Sequence, residues 1–179
     1  MGYNYRLTDL QCALGLSQLN KVDCWIHRRQ ELAKRYDEAF KPLVGFLTPL
    51  TNIFGSSYHI YVVKFHLRQY YDQFNHDSEA LKQAKQLWNR DVIFNLLKQA
   101  NIGVNVHYKP IYLLSFYQNH PQVNTPLGLC PVAEKVYNQI ITLPLFPTMT
   151  NQQQDRVIET VHQIINQISS SIPSASELP

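Results

Sequence analysis

Two stretches of this chain carry side-chain types whose grouping could do chemistry. Gly2-Tyr3-Asn4-Tyr5-Arg6 sets an amide and a guanidinium between aromatic rings, just ahead of a helix start. Arginine is a bidentate partner for phosphate or carboxylate, asparagine is a neutral donor, and a helix N-terminus adds positive potential. An anion-binding corner is one reading. The plainer one, which the residues alone favour, is a chain start packed by two tyrosines with Arg6 in an ordinary ion pair. Val106-His107-Tyr108-Lys109-Pro110 brings an imidazole, a phenol and an amine to a strand end, where ligand groups often collect. Its plainer reading is a strand edge with polar groups facing water.

Neither stretch supplies a complete catalytic set, which needs a nucleophile or acid–base pair with something to orient it. The sequence has no Gly-rich phosphate loop, no G-x-S-x-G turn and no H-E-x-x-H pair. His59 and His66, seven residues apart, would face opposite sides of one strand, so a shared metal is not expected. No catalytic residue and no metal ligand is therefore assigned.

The elements that would hold these groups follow from periodicity. Thr8 and Gln11 have capping-box spacing. Leu10, Leu14, Leu19, Val22, Ile26, Ala33, Tyr36 and Phe40 then recur mostly at three-, four- and seven-residue steps, with one five-residue slip. This predicts an apolar stripe on one long helix, closed by Pro42 and Gly45. Gly15 in its middle suggests close approach by another backbone. Arg28 and Arg29 should be displayed to water.

Tyr58 to Phe65 predicts a strand, Val92 to Ala100 an amphipathic helix with Asn101 as its left-handed cap, and Val104 to Tyr108 a half-buried strand ended by Pro110. Pro131 opens a short helix. Ile140 to Leu145 is a brief strand, and Thr150 with Gln153 caps a last helix whose apolar side runs from Val157 to Ile168. Residues 67–87 read as an insertion, and 169–179 as a flexible tail. The expected fold is α/β (α+β): a small antiparallel or mixed sheet covered on one side by helices, within a domain spanning 1–168.

Composition excludes several function classes. The formal charge is +3, and the longest basic cluster is one arginine pair, so no nucleic-acid stripe is present. Three cysteines with no C-x-x-C spacing suit a reducing compartment. No apolar run approaches the roughly 18 residues of a membrane span, and no signal peptide opens the chain. The expectation is a cytoplasmic protein without membrane or nucleic-acid partners.

Several segments together resemble a known family. Gly2-Tyr3-Asn4-Tyr5-Arg6-Leu7-Thr8-Asp9, continuing through Gln11, Ala13, Gly15-Leu16 and Gln18-Leu19, is similar to the segment opening the C-terminal half of the DegT/DnrJ/StrS sugar aminotransferases. Arg28-Arg29, Ala33-Lys34-Arg35-Tyr36, Tyr58-His59-Ile60-Tyr61-Val62-Val63, Gly103 to Pro110, Cys130-Pro131-Val132-Ala133-Glu134 and Leu143-Pro144-Leu145-Phe146-Pro147 follow in the same order. The wording most resembles the pseudaminic-acid-pathway transaminases, which aminate a UDP-linked keto sugar.

The resemblance implies the small domain of a fold-type-I enzyme, active as a homodimer, that uses pyridoxal 5'-phosphate to move an amino group from glutamate to a nucleotide-linked sugar. It implies that the Schiff-base lysine belongs to an N-terminal large domain, which this chain does not include, so that the chain alone is inactive and does not hold the cofactor stably. That domain would come from the rest of a longer polypeptide or from a separate one. Asn4 matches the asparagine reaching the cofactor phosphate of the neighbouring subunit, and Arg6 a supporting position beside it. His107 and Tyr108 match positions near the sugar nucleotide. Tyr112 departs from the pattern, since many members carry histidine there. The competing expectation is a non-catalytic module on the same fold that binds sugar nucleotides or a protein.

Overall fold

The computed structural model describes residues 5–50, 55–67 and 88–170. Asn4, residues 68–87 of the expected insertion and 171–179 of the expected tail lie outside the described residues, while Leu67 is buried in the core and Ser169 and Ser170 belong to the last helix instead of the tail.

Three short strands form an antiparallel sheet in the order β1 (Leu47–Pro49), β2 (Tyr61–Phe65), β3 (Ile140–Leu143). The register pairs Tyr61 with Leu143 and Val63 with Ile141, so these four side chains share one face. That face enters the core, with Phe65 at the end of β2. Val62, Thr142 and Ile140 occupy the opposite face. The two sides of the sheet are therefore chemically distinct from the moment the strands alternate.

Helix α2 (Val22–Phe40) lays Leu32, Ala33, Tyr36 and Phe40 into the core, and a single 3₁₀ turn at Lys41–Leu43, with Pro42 inside it, ends it. Helix α3 (Arg90–Gln99) is capped by Asn89, whose Oδ1 accepts from the Asp91 and Val92 amides. Asn101 follows it at φ 58°, the left-handed stop its residue type suggests. Thr150 and Gln153 form the expected reciprocal cap of the last helix, α6 (Asn151–Ser170). Its Val157, Val161, Ile164, Ile165 and Ile168 are buried. Helix α2 contacts β1 and α6, and α3 contacts β3 and α6, so all three serve the same side of the sheet.

The expected single long helix is instead two. Helix α1 (Asp9–Leu19) stops, the chain turns at Asn20 and Lys21, and α2 begins. The break falls just after the five-residue step from Leu14 to Leu19, which at about 100° per residue swings the apolar stripe well to one side. Within α1 nothing is buried: Leu10 is 81% exposed and Leu14 62%. Among the described residues, nothing lies within 4 Å of where a Cβ of Gly15 would sit, so the expected close backbone approach is not seen there.

Two strand expectations also change. Residues 58–60 stay outside β2, with Tyr58 at φ 45°. Among the described residues Val104 to Tyr108 makes a single bridge, Asn105 to Thr142, and the Val106 amide turns back to Asn105 Oδ1 at 2.8 Å. The short β1 carries Pro49 and no alternation long enough to read from sequence.

Arg28 and Arg29 are not simply displayed to water. Arg28 donates to the Met149 carbonyl and to Asn151 Oδ1, each at 2.9 Å. Arg29 donates to the carbonyls of Tyr58 and His59 at 3.1 and 3.0 Å. Arg35 pairs with Asp155 and donates to Gln154 Oε1, while the fully buried Gln154 donates to the Leu32 carbonyl at 2.7 Å. A planar five-donor group suits this tying of helix to loop.

Candidate functional site

The sheet face turned away from the core floors a groove of about 640 Å³. Val62 of β2 and Ile140 of β3 lie at its base. One wall is the segment from His107 to Pro110, a second is α5 (Pro131–Tyr137) through Ala133, Val136 and Tyr137, and the third is the loop from Ser56 to Ile60.

Each wall has its own anchor. His107 Nδ1 lies 2.9 Å from Thr142 Oγ1, on the groove side of β3. Tyr108 packs its ring edge-on against His107 at 4.5 Å and remains 69% exposed. The 56–59 loop is held from behind by Arg29 and by Gln30, whose Nε2 donates to the Ser56 carbonyl at 3.0 Å. Pro131 starts α5, and Arg90 stacks its guanidinium over Tyr137 at 5.2 Å.

A polar cluster lies beside the groove, next in sequence to its Pro110 and Ala133. Glu134 Oε1 accepts from the Tyr112 hydroxyl at 2.7 Å and from the Gly128 amide at 2.7 Å. Gln118, the last residue of the short helix α4 (Ser115–Gln118), donates from Nε2 to the Tyr112 and Thr125 carbonyls. Partial burial, and then the bond to Glu134, push the Tyr112 hydroxyl up to about 12, so it stays a donor across the neutral range.

Of the four residues singled out by sequence, the structure brings His107 and Tyr108 together in the groove. Arg6 is exposed ahead of α1 and does not line it, and Asn4 lies outside the described residues. Arg29, Tyr137 and Glu134 were not picked out for the site. Arg29 read as a helix-surface charge, and neither Tyr137 nor Glu134 sits in a spacing that signals a site.

The described residues do not by themselves build a cradle for pyridoxal phosphate. At the start of α1, Thr8 and Gln11 satisfy each other's backbone amides. Among the described residues, no lysine lines the groove to meet an aldehyde. Among them, too, no group of three His, Cys, Asp or Glu could hold a metal, and no helix is long and apolar enough to cross a membrane.

What the chain resembles is consistent across comparisons. It is 32% identical over 165 residues to the spore coat polysaccharide biosynthesis protein SpsC of Bacillus subtilis, covering 92% of this chain and 38% of that one. It is 31% identical over 171 residues to the UDP-4-amino-4,6-dideoxy-N-acetyl-beta-L-altrosamine transaminase of Campylobacter jejuni, covering 94% of this chain and 39% of that one. The structure of Helicobacter pylori PseC, an aminotransferase of pseudaminic acid biosynthesis, matches with a TM-score of 0.70 at 30% identity, covering 93% of this chain and 40% of that one. The chain thus spans about two fifths of the length of these relatives. Residues 1–162 match the DegT/DnrJ/EryC1/StrS aminotransferase family, and to that family the chain belongs.

Proposed function

We propose that residues 1–168 are the small-domain part of a pyridoxal-phosphate aminotransferase that moves an amino group from glutamate to a nucleotide-linked keto sugar. On this reading His107 and Tyr108 face the sugar nucleotide. Asn4 and Arg6 reach the cofactor phosphate of a neighbouring subunit in a cytoplasmic homodimer. The cofactor, where it is bound, serves as an electron sink. Its lysine comes from large-domain residues that this chain does not carry. The pseudaminic-acid pathway is the setting we favour, from the names of the Campylobacter and Helicobacter relatives.

The observation that carries the reading is the groove. His107 and Tyr108, matched to the family's sugar-nucleotide positions, meet on the sheet face that the core leaves free, in a cleft large enough for a small ligand. The surface supports it as well. Fourteen of the seventeen exposed large hydrophobic side chains among the described residues fall within 5–19 and 108–132. Clusters of that kind mark surfaces that another surface covers.

Incubation with pyridoxal phosphate, borohydride reduction and intact mass test the reading. Absent or scattered labelling is the expected result. One stoichiometric adduct at a single lysine, blocked by a UDP-sugar, places a complete cofactor site within this chain and overturns it.

A further inference from the structure

The segment 111–130 leaves the groove at one wall and returns at another. It departs immediately after Pro110 and comes back as α5, whose Ala133 lines the opposite side. Its exposed side chains include Ile111, Phe116 and Leu127, at 67, 68 and 78% exposure, while Tyr112, Leu113, Tyr117 and Thr125 are half-buried. No residue of 111–130 is buried, so apolar packing among the described residues does little to hold it. A carboxylate holds it: Glu134 Oε1 takes a hydrogen bond from Tyr112 near the start of the excursion and from Gly128 near its end. Gly128 sits at φ 88°, a conformation that costs glycine little and other residues much.

The two walls have unequal support. The His107 wall is pinned to the sheet by Thr142 and by the Asn105 bridge, whereas α5 buries no residue. We infer that Glu134, through Tyr112 and Gly128, is a positioning residue that ties the α5 wall to the His107–Pro110 wall and fixes the width of the groove for the nucleotide sugar. This rests on the reading of the groove given above. A charge-assisted bond is stronger than a neutral one, and both converge on one oxygen, so a single substitution releases both ends.

The test uses the 179-residue chain and UDP-N-acetylglucosamine as probe, followed by amide exchange and chemical-shift titration. In Glu134→Ala the Gly128 amide should exchange about tenfold faster, and the probe should bind about tenfold more weakly, the loss expected for one charge-assisted bond. Glu134→Gln keeps a neutral acceptor oxygen and should restore both in part. Tyr112→Phe leaves α5 unchanged and should weaken the probe while Gly128 stays protected.

Unchanged Gly128 exchange in Glu134→Ala overturns the clasp. Faster exchange with unchanged probe binding overturns the positioning role, as does failure of the glutamine variant to restore any of it. A wild-type groove that does not respond to the probe sinks the sugar-nucleotide reading, and the positioning role with it. A persisting Gly128 contrast then shows that it was the reading, and not the clasp, that failed.

Discussion

The body formed by α2, α3, α6 and one face of the sheet is built the opposite way from the two outer segments, 5–19 and 108–132. In the body, Leu32, Tyr36, Ile93, Ile165 and their neighbours are inside, and the half-exposed arginines of α2 end on backbone carbonyls or side-chain oxygens. In the outer segments most of the leucines face outward, and the side chains that tie 108–132 down are Tyr112 and Thr125, bonded to Glu134 and Gln118. Helix α1 goes further: Leu10 and Leu14 lie on one side, Leu16 and Leu19 roughly opposite, and all four are more than 60% exposed. A helix apolar all round is ordinarily buried. The body is thus specified by its own sequence, whereas the outer segments present apolar side chains that no described residue of this chain covers.

The largest effect that tests this contrast lies in the body. Ile165 is 1% exposed within the cluster that joins α6 to the sheet. Ile165→Ala should lower unfolding stability by about 2–5 kcal/mol, from lost transfer energy and the cavity left behind. Chemical denaturation measures it. A loss below about 1 kcal/mol would mean that this part of the core is loosely packed, and the contrast with α1 would shrink.

Next in size is a pH effect. Burial and then the Asp37 hydrogen bond push the Tyr61 phenol well above the tyrosine range, and burial raises Tyr36 as well. Unfolding returns both to about 10. The stability they contribute is therefore whole below that value and drains away as pH rises through the folded values. The melting temperature should fall between about pH 9 and about pH 11, and Tyr61→Phe should flatten the slope. An equal slope in the variant would remove Tyr61 from the account. Smaller again, Thr150→Ala removes the acceptor for the Gln153 amide and should cost about 1 kcal/mol in the same denaturation experiment.

The sequence disclosed the parts that answer to local rules. Both capping boxes, the Asn101 stop, Pro131 at a helix start and the apolar side of α6 are each set by a few neighbouring residues, and each is in place. The misses have a common cause in tertiary context. Leu10 and Leu14 recur like core residues, and nothing in that periodicity says whether the surface they meet belongs to this chain. Val104 to Tyr108 alternates like a strand, yet it meets β3 at one bridge, and the Val106 amide is taken by the Asn105 side chain. The Arg28–Arg29 pair was legible as charge, but the carbonyls it meets belong to residues 29 to 121 positions away. For the site, the residues at the strand end were readable because three chemical groups sit in one pentapeptide. Glu134 was not, since its value comes only from Tyr112 and Gly128 arriving beside it.

The smallest stability change sharpens the comparison most. Leu10→Gln and Leu14→Gln together replace two side chains that touch no core residue and keep good helix formers in place. Thermal unfolding of the isolated chain should shift by no more than about 0.5 kcal/mol in either direction. Self-association, followed by sedimentation velocity over a concentration series, should fall, because the substitutions remove apolar area that water otherwise faces. A stability loss as large as that of Ile165→Ala would mean that α1 packs on this chain in solution, and the division into body and outer segments would fail. An unchanged association would assign the stickiness to 108–132, where Phe116 and Leu127 are the next side chains to replace.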